Sequence, residues 1–158
     1  MKLSTNTRYG LRALSALCTR YKESGGEVKP VAVSDIARRQ DIPPSYLEQI
    51  FAKLRRGKLI ESVRGAQGGY VLACPASEIT VAKVMRALEE RINLGECQTE
   101  TGCHKAAQCA TYSLWRRMKE SLDGILETTT LEDIAKGGGG AFLCGPPSEE
   151  VPLNECVS

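Results

Sequence analysis

The chain has 158 residues, 42% of them hydrophobic and 25% charged, which is enough for one cored domain, or a compact domain with an appendage, without covalent staples. No apolar run approaches the length of a membrane span, and Arg8, Arg12 and Arg20 interrupt the start in a way no secretory leader tolerates, so a cytoplasmic protein with reduced thiols is expected. The net charge of +2 hides a split: residues 1–74 hold 13 Lys and Arg against 6 Asp and Glu, or +7, whereas residues 75–158 hold 8 against 13, or −5. A basic half ahead of an acidic one points to a polyanion-binding N-terminal part with a different task behind it.

From Thr5 to about Lys22, apolar residues fall at Leu11, Leu14, Leu17, Cys18 and Tyr21, the three-and-four spacing of an amphipathic helix. "ESGGE" ends it. "VSDIARRQ" (33–40) predicts a short helix with Ser34 as its N-cap. Asp41, Ile42 and Pro43 then form a turn, and Pro44 suits a first helical turn because its missing N–H costs nothing there. The helix that follows runs to about Arg56, with Gly57 to end it and Leu47, Ile50, Phe51 and Leu54 on its buried face. Ser45, Tyr46, Glu48, Gln49, Lys53 and Arg56 are left for the outside.

Two short helices across a tight turn, the second with a polar outer face, are the parts of a helix-turn-helix. Leu59–Val63 and Tyr70–Ala73 read as strands, with the glycines of "RGAQGG" turning a hairpin whose tip carries Arg64 toward a minor groove. The expected fold is mainly α with a small β-hairpin wing, a winged helix-turn-helix DNA-binding domain over residues 1–80. Thr80 caps a further helix over 81–90, and a long helix over 110–126 carries the stripe Leu114, Met118, Leu122 and Ile125 beside Trp115. Such a stripe late in a small regulator suits pairing with a second copy, and a two-fold protein suits a palindromic operator in double-stranded DNA. Thr130 and Asp133 form a capping pattern for a last short helix ending at Gly137. Residues 81–136 are thus read as a cysteine loop plus dimerisation helix, and the Gly- and Pro-rich residues 137–158 as a mobile tail.

Cys97, Cys103 and Cys109 are evenly spaced in a polar stretch. Six residues of helix turn through about 600°, so the three thiols cannot share one helix face and must lie on a loop. Their spacing has no Cys-x-x-Cys knuckle, which weakens zinc, and three thiolates with a different fourth ligand suit an iron–sulfur cluster. Thiol redox sensing stays open beside it. Cys18 and Cys74 sit in apolar segments and read as small buried hydrophobes. With His104 the lone histidine and no nucleophile–base set, phosphate loop or paired-carboxylate cleft, catalysis is not expected.

Over residues 1 to about 136 the chain resembles the IscR-type iron–sulfur-dependent transcriptional regulators. The likeness is carried by "MKLSTNTRYGLRAL", by "DIARRQDIPPSYLEQIFAKLRRGKLIESVRGAQGGYVL", and by the three cysteines followed by Tyr112, Leu114 and Trp115. It implies a winged-helix homodimer with a 2Fe–2S cluster near its interface, and control of iron–sulfur assembly genes. Ser45, Glu48, Gln49 and Arg64 match the family's DNA-contacting positions, and Cys97, Cys103 and Cys109 its cluster ligands. The chain departs from the pattern where family members commonly carry a histidine as fourth ligand: Tyr112 stands there. Related nitric-oxide sensors use an aspartate near the N-terminus, where this chain has Arg8. The fourth ligand is expected to be an exchangeable oxygen donor, Tyr112 or His104, in that order. A thiol-redox or nitric-oxide-responsive regulator without a stable cluster is the alternative.

Overall fold

The computed structural model describes residues 3–23, 25, 29–65, 67–92, 94, 103 and 108–137. The elements are α1 (Thr5–Glu23), α2 (Val33–Gln40), α3 (Pro44–Arg56), strands β1 (Ile60–Val63) and β2 (Gly69–Leu72), then α4 (Val81–Ala87), α5 (Tyr112–Thr128) and α6 (Leu131–Lys136), with a 3-10 turn over Ala76–Glu78. It is a winged helix-turn-helix: three helices, then an antiparallel hairpin in which Ile60 pairs with Leu72 and Val63 with Gly69. Among the described residues no helix is long and apolar enough to cross a membrane.

The core forms where the apolar stripes of the helices meet. Ala13, Leu14 and Leu17 of α1, Ile36 and Ala37 of α2, and Leu47, Ile50, Phe51 and Leu54 of α3 are all buried in one cluster. The buried face of α3 is the one its spacing predicts. Ile42 is buried in the turn before α3, and Asp41 there is left-handed, so the chain reverses within three residues. Ser34 does not cap α2. The N–H groups of Asp35 and Ile36 both bond the Ala32 carbonyl, so the helix starts at Val33 and Ser34 falls inside its first turn.

The hairpin is held to the body by a third rung. Val31 and Tyr70 exchange backbone hydrogen bonds of 3.0 and 2.9 Å, which seats β2 between β1 and Val31, two residues ahead of α2. This close approach needs Gly69, because a Cβ there would lie 2.4 Å from the Val31 carbonyl group. Beneath the hairpin the Phe51 and Tyr70 rings meet edge to face at 4.8 Å.

Both helices that flank the wing end in Schellman motifs, with C″→C3 and C′→C2 hydrogen bonds. At the end of α3, Leu59 N–H bonds the Leu54 carbonyl and Lys58 N–H bonds that of Arg55, with Lys58, not Gly57, in the left-handed conformation. Gly57 serves space: a Cβ there would sit 2.5 Å from Ala87 Cβ, so α4 abuts the end of α3. At the end of α4, Glu90 N–H bonds Met85 and Glu89 N–H bonds Arg86, with Glu89 left-handed, so this helix stops at Ala87 and not at residue 90.

The core continues past residue 80. Val84, Leu88 and Leu131 pack into the same cluster as Leu14 and Phe51, and α6 lies against α1. Thr80 caps α4 by accepting from Lys83 N–H, and Thr130 forms a full capping box with Asp133. Because Leu131 N–H also bonds the Ile79 carbonyl at 2.8 Å, the box fixes where α6 docks. Thr130→Ala is expected to cost about 0.5–2 kcal/mol in urea unfolding, and Thr130→Ser to keep most of that stability.

Candidate nucleic-acid interface and cysteine segment

With Leu47, Ile50, Phe51 and Leu54 turned inward, α3 presents Ser45, Glu48, Gln49, Arg55 and Arg56 to solvent. Lys53, Arg55 and Arg56 occupy its last turn, where cations complement the helix dipole. Arg64 is exposed at the hairpin tip, before Gly65 at φ 127. The groups expected to face a nucleic acid are thus exposed on α3 and at the wing tip, with two differences. Tyr46 is half-buried: its ring meets Tyr9 edge to face at 5.8 Å, and its hydroxyl bonds the Asn6 side chain, tying the start of α3 to α1. Lys53 is not a free cation, since its Nζ donates to Glu89 Oε2 at 2.8 Å.

Glu89 and its neighbour Glu90 make contacts with α3 and α1 that helical spacing alone does not predict. Glu90 lies at the start of α1, where Ser4 N–H donates to Oε1 at 2.6 Å and the hydroxyls of Ser4 and of fully buried Thr7 donate to Oε2. Burial pushes this carboxyl up, but the Ser4 and Thr7 hydrogen bonds outweigh it and hold the group below the usual carboxylate range. Two acids closing a helix oppose that helix's own dipole. That local conflict was the available signal, and the resolution is non-local: one acid serves the start of α1 and the other serves α3.

The cysteine segment follows this turn. Cys109 is exposed and Cys103 half-buried, while Cys97 and His104 lie outside the described residues. The Thr111 hydroxyl lies 3.3 Å from Cys109 Sγ. Donation from it, then from the Thr111 backbone N–H, holds the Cys109 thiol below its usual range and favours thiolate. Tyr112, half-buried, opens α5, and its N–H bonds the Cys109 carbonyl at 3.1 Å. Among the described residues no three Cys, His, Asp or Glu side chains form a metal-binding group. Cys18 is buried, as expected; Cys74 is half-buried, and burial pushes its thiol up, with Glu78 adding to it. Along α5, Leu114, Met118 and Ile125 are 50%, 41% and 58% exposed and Leu122 is half-buried, so the described residues leave most of the stripe uncovered.

A family model described as "Iron-dependent Transcriptional regulator", Rrf2, matches residues 3–137. The chain belongs to the Rrf2 family. It is 39% identical to the HTH-type transcriptional regulator IscR of Photorhabdus laumondii over 134 residues, covering 85% of this chain and 79% of that protein. It is 38% identical to an Escherichia coli IscR over the same length, covering 85% and 80%. Among solved structures it superposes on CymR, the global cysteine regulator of B. subtilis, with a TM-score of 0.71 at 34% identity over 86% of this chain and 97% of that one. Against T. potens IscR the TM-score is 0.69 at 34% identity over 92% and 94%. This Rrf2 protein is a DNA-binding transcriptional regulator and not an enzyme.

Glu90 gives the Rrf2 domain an acid-sensitive joint. Its carboxyl is depressed in the folded state, so its stabilising effect is fully present above the unfolded-state pKa and is lost as pH falls through the folded one. Glu90→Gln is expected to lose on the order of 1 kcal/mol at neutral pH, with the gap to wild type closing in acid. A gap that persists at the acid end would place the effect in packing instead.

Proposed function

We propose that this regulator is a homodimer that binds a palindromic operator and whose DNA binding depends on a 2Fe–2S cluster held by Cys97, Cys103 and Cys109. The observation that supports the cluster reading is the triplet itself: three evenly spaced thiols in a polar stretch ahead of α5, with Cys109 exposed just before that helix and so open to a soft metal. When bound, the cluster supplies a redox- and iron-sensitive centre that can be lost. The chain's own contribution is to hold the thiols and set the loop between α4 and α5. The fourth ligand is an exchangeable oxygen donor, ahead of Tyr112 and then His104. Its targets in this reading are iron–sulfur biogenesis genes in the cytoplasm, a reading that the likeness to IscR supports.

On the DNA side, Ser45, Glu48 and Gln49 read base edges in the major groove, where Gln pairs with adenine and Glu accepts from cytosine. Arg55, Arg56 and Lys58 bind phosphates, joined by Lys53 when it is released, and Arg64 enters the minor groove. Tyr46 acts indirectly, by holding the start of α3. Residues 1–80 form the reading unit, 81–136 the cluster loop and dimerisation helix, and 137–158 a tail.

A second reading, a thiol-responsive regulator without a stable cluster, draws on the superposition with CymR. Anaerobic purification separates the two. The cluster reading expects a coloured protein with iron and sulfide in equal amounts, and a colourless Cys109→Ala variant. Colourless wild-type protein with reversible disulfides would establish the second reading.

The exposed stripe on α5 supports the dimer. Met118→Glu would place a charge in the centre of the paired stripes, so sedimentation should find monomers, and operator binding should fall by at least about tenfold. An intact dimer in that variant would move the interface elsewhere.

A further inference from the structure

Helix α4 ends in a conformation its sequence does not favour. Glu89 has φ 62, in the left-handed region where the corresponding residue of a Schellman motif is usually glycine. A strained residue persists where its surroundings hold it, and here the strain comes with a contact. The Glu89 carboxylate takes a 2.8 Å hydrogen bond from Lys53 of α3, with the Lys53 side chain 30% exposed and that of Glu89 68% exposed. Arg56, one turn further along α3, also bears on the Glu89 charge.

The position of this pair matters more than its strength. An exposed ion pair contributes little to stability, and an acid at the end of α4 opposes that helix's own dipole. Stability therefore gives little reason for the arrangement. Lys53 belongs to the basic last turn of α3, on the helix read as DNA-facing, and a lysine there is worth most when it meets a phosphate. A carboxylate on the same amine competes for the same ligand position. Glycine at residue 89 would give the same turn without strain and leave Lys53 free.

We propose that Glu89 is an affinity-setting residue that acts through Lys53: the left-handed turn at the end of α4 holds a carboxylate on this lysine in competition with the DNA backbone. Glu89 is a positioning residue and touches no base. The inference rests on the reading of α3 as the DNA-facing helix. Its effect is independent of sequence, because phosphates are the rival ligand, so a mixed-sequence duplex reports it without knowledge of the operator.

The test is a double-mutant cycle on the full chain, with binding to that duplex followed by fluorescence anisotropy over a range of salt. Glu89→Gln should tighten binding about threefold at moderate salt and steepen the log K against log salt slope by about 0.9, one added phosphate contact. In a Lys53→Gln background the same change should do neither. Circular dichroism checks the fold, and Glu89→Gly, which suits the turn, provides a second variant with the same expected outcome. Unchanged affinity and slope in a folded Glu89 variant would overturn the proposal. So would equal tightening with and without Lys53, which would make Glu89 a general negative charge near DNA. Wild-type protein that binds no duplex even at low salt would instead sink the DNA-facing reading of α3 on which the proposal rests.

Discussion

Helix α3 has to bury one face and offer the other, and Phe51 is where that requirement is met. Its ring is wholly buried and lies edge to face on Tyr70 of the wing, at an interplanar angle of 77°. Leu47, Ile50 and Leu54 extend the same stripe against α1 and α4. A helix of 13 residues so anchored cannot rotate without exposing its apolar face, which keeps Ser45, Glu48 and Gln49 outward. The Phe51–Tyr70 contact also fixes the hairpin relative to the helix, and the Val31–Tyr70 hydrogen bonds fix it relative to the body. The spacing between the exposed end of α3 and Arg64 is therefore a property of the core.

The second constraint is the junction of α3 with α4. The absence of a side chain at Gly57 lets Ala87 come close, and the turn that follows carries Glu89 onto Lys53 and Glu90 onto Ser4 and Thr7. Asn6, in the same first turn of α1, bonds Tyr46 at the start of α3. One short turn is thus linked to both ends of α3, directly through Lys53 and by way of α1 through Tyr46. The cysteine segment follows this turn in the chain. In the proposed account, a change in that segment reaches the DNA face through packed and hydrogen-bonded contacts, not over open distance.

Local chemistry was legible in the sequence, and distant partnership was not. The buried face of α3, Pro44 in its first turn, the Thr80 cap and the Thr130–Asp133 box depend on residues a few positions apart, and they occur as the spacing predicts. Tyr46 and Lys53 were assigned outward because helical spacing says which side a residue is on and not what waits there. Tyr9, Asn6 and Glu89 wait there, from other elements. Ser34 is not the cap because the Ala32 carbonyl takes the Asp35 and Ile36 amides, a choice set by backbone geometry. For the cysteine triplet, spacing predicts three thiols on a loop; Cys103 and Cys109 are among the described residues and Cys97 is not. The slant of Cys109 toward thiolate comes from Thr111, two residues on, and is local in the same sense.

The central claim is that the cysteine segment governs the grip of α3 on DNA. One anaerobic preparation, divided and measured for operator affinity before and after its iron is removed by a chelator, tests it most directly. The account predicts that the dissociation constant for at least one operator moves by about fivefold or more while the protein stays folded and dimeric. Equal affinities for every operator tried, with and without iron, would contradict it and leave a DNA-binding protein whose cysteines serve some other end.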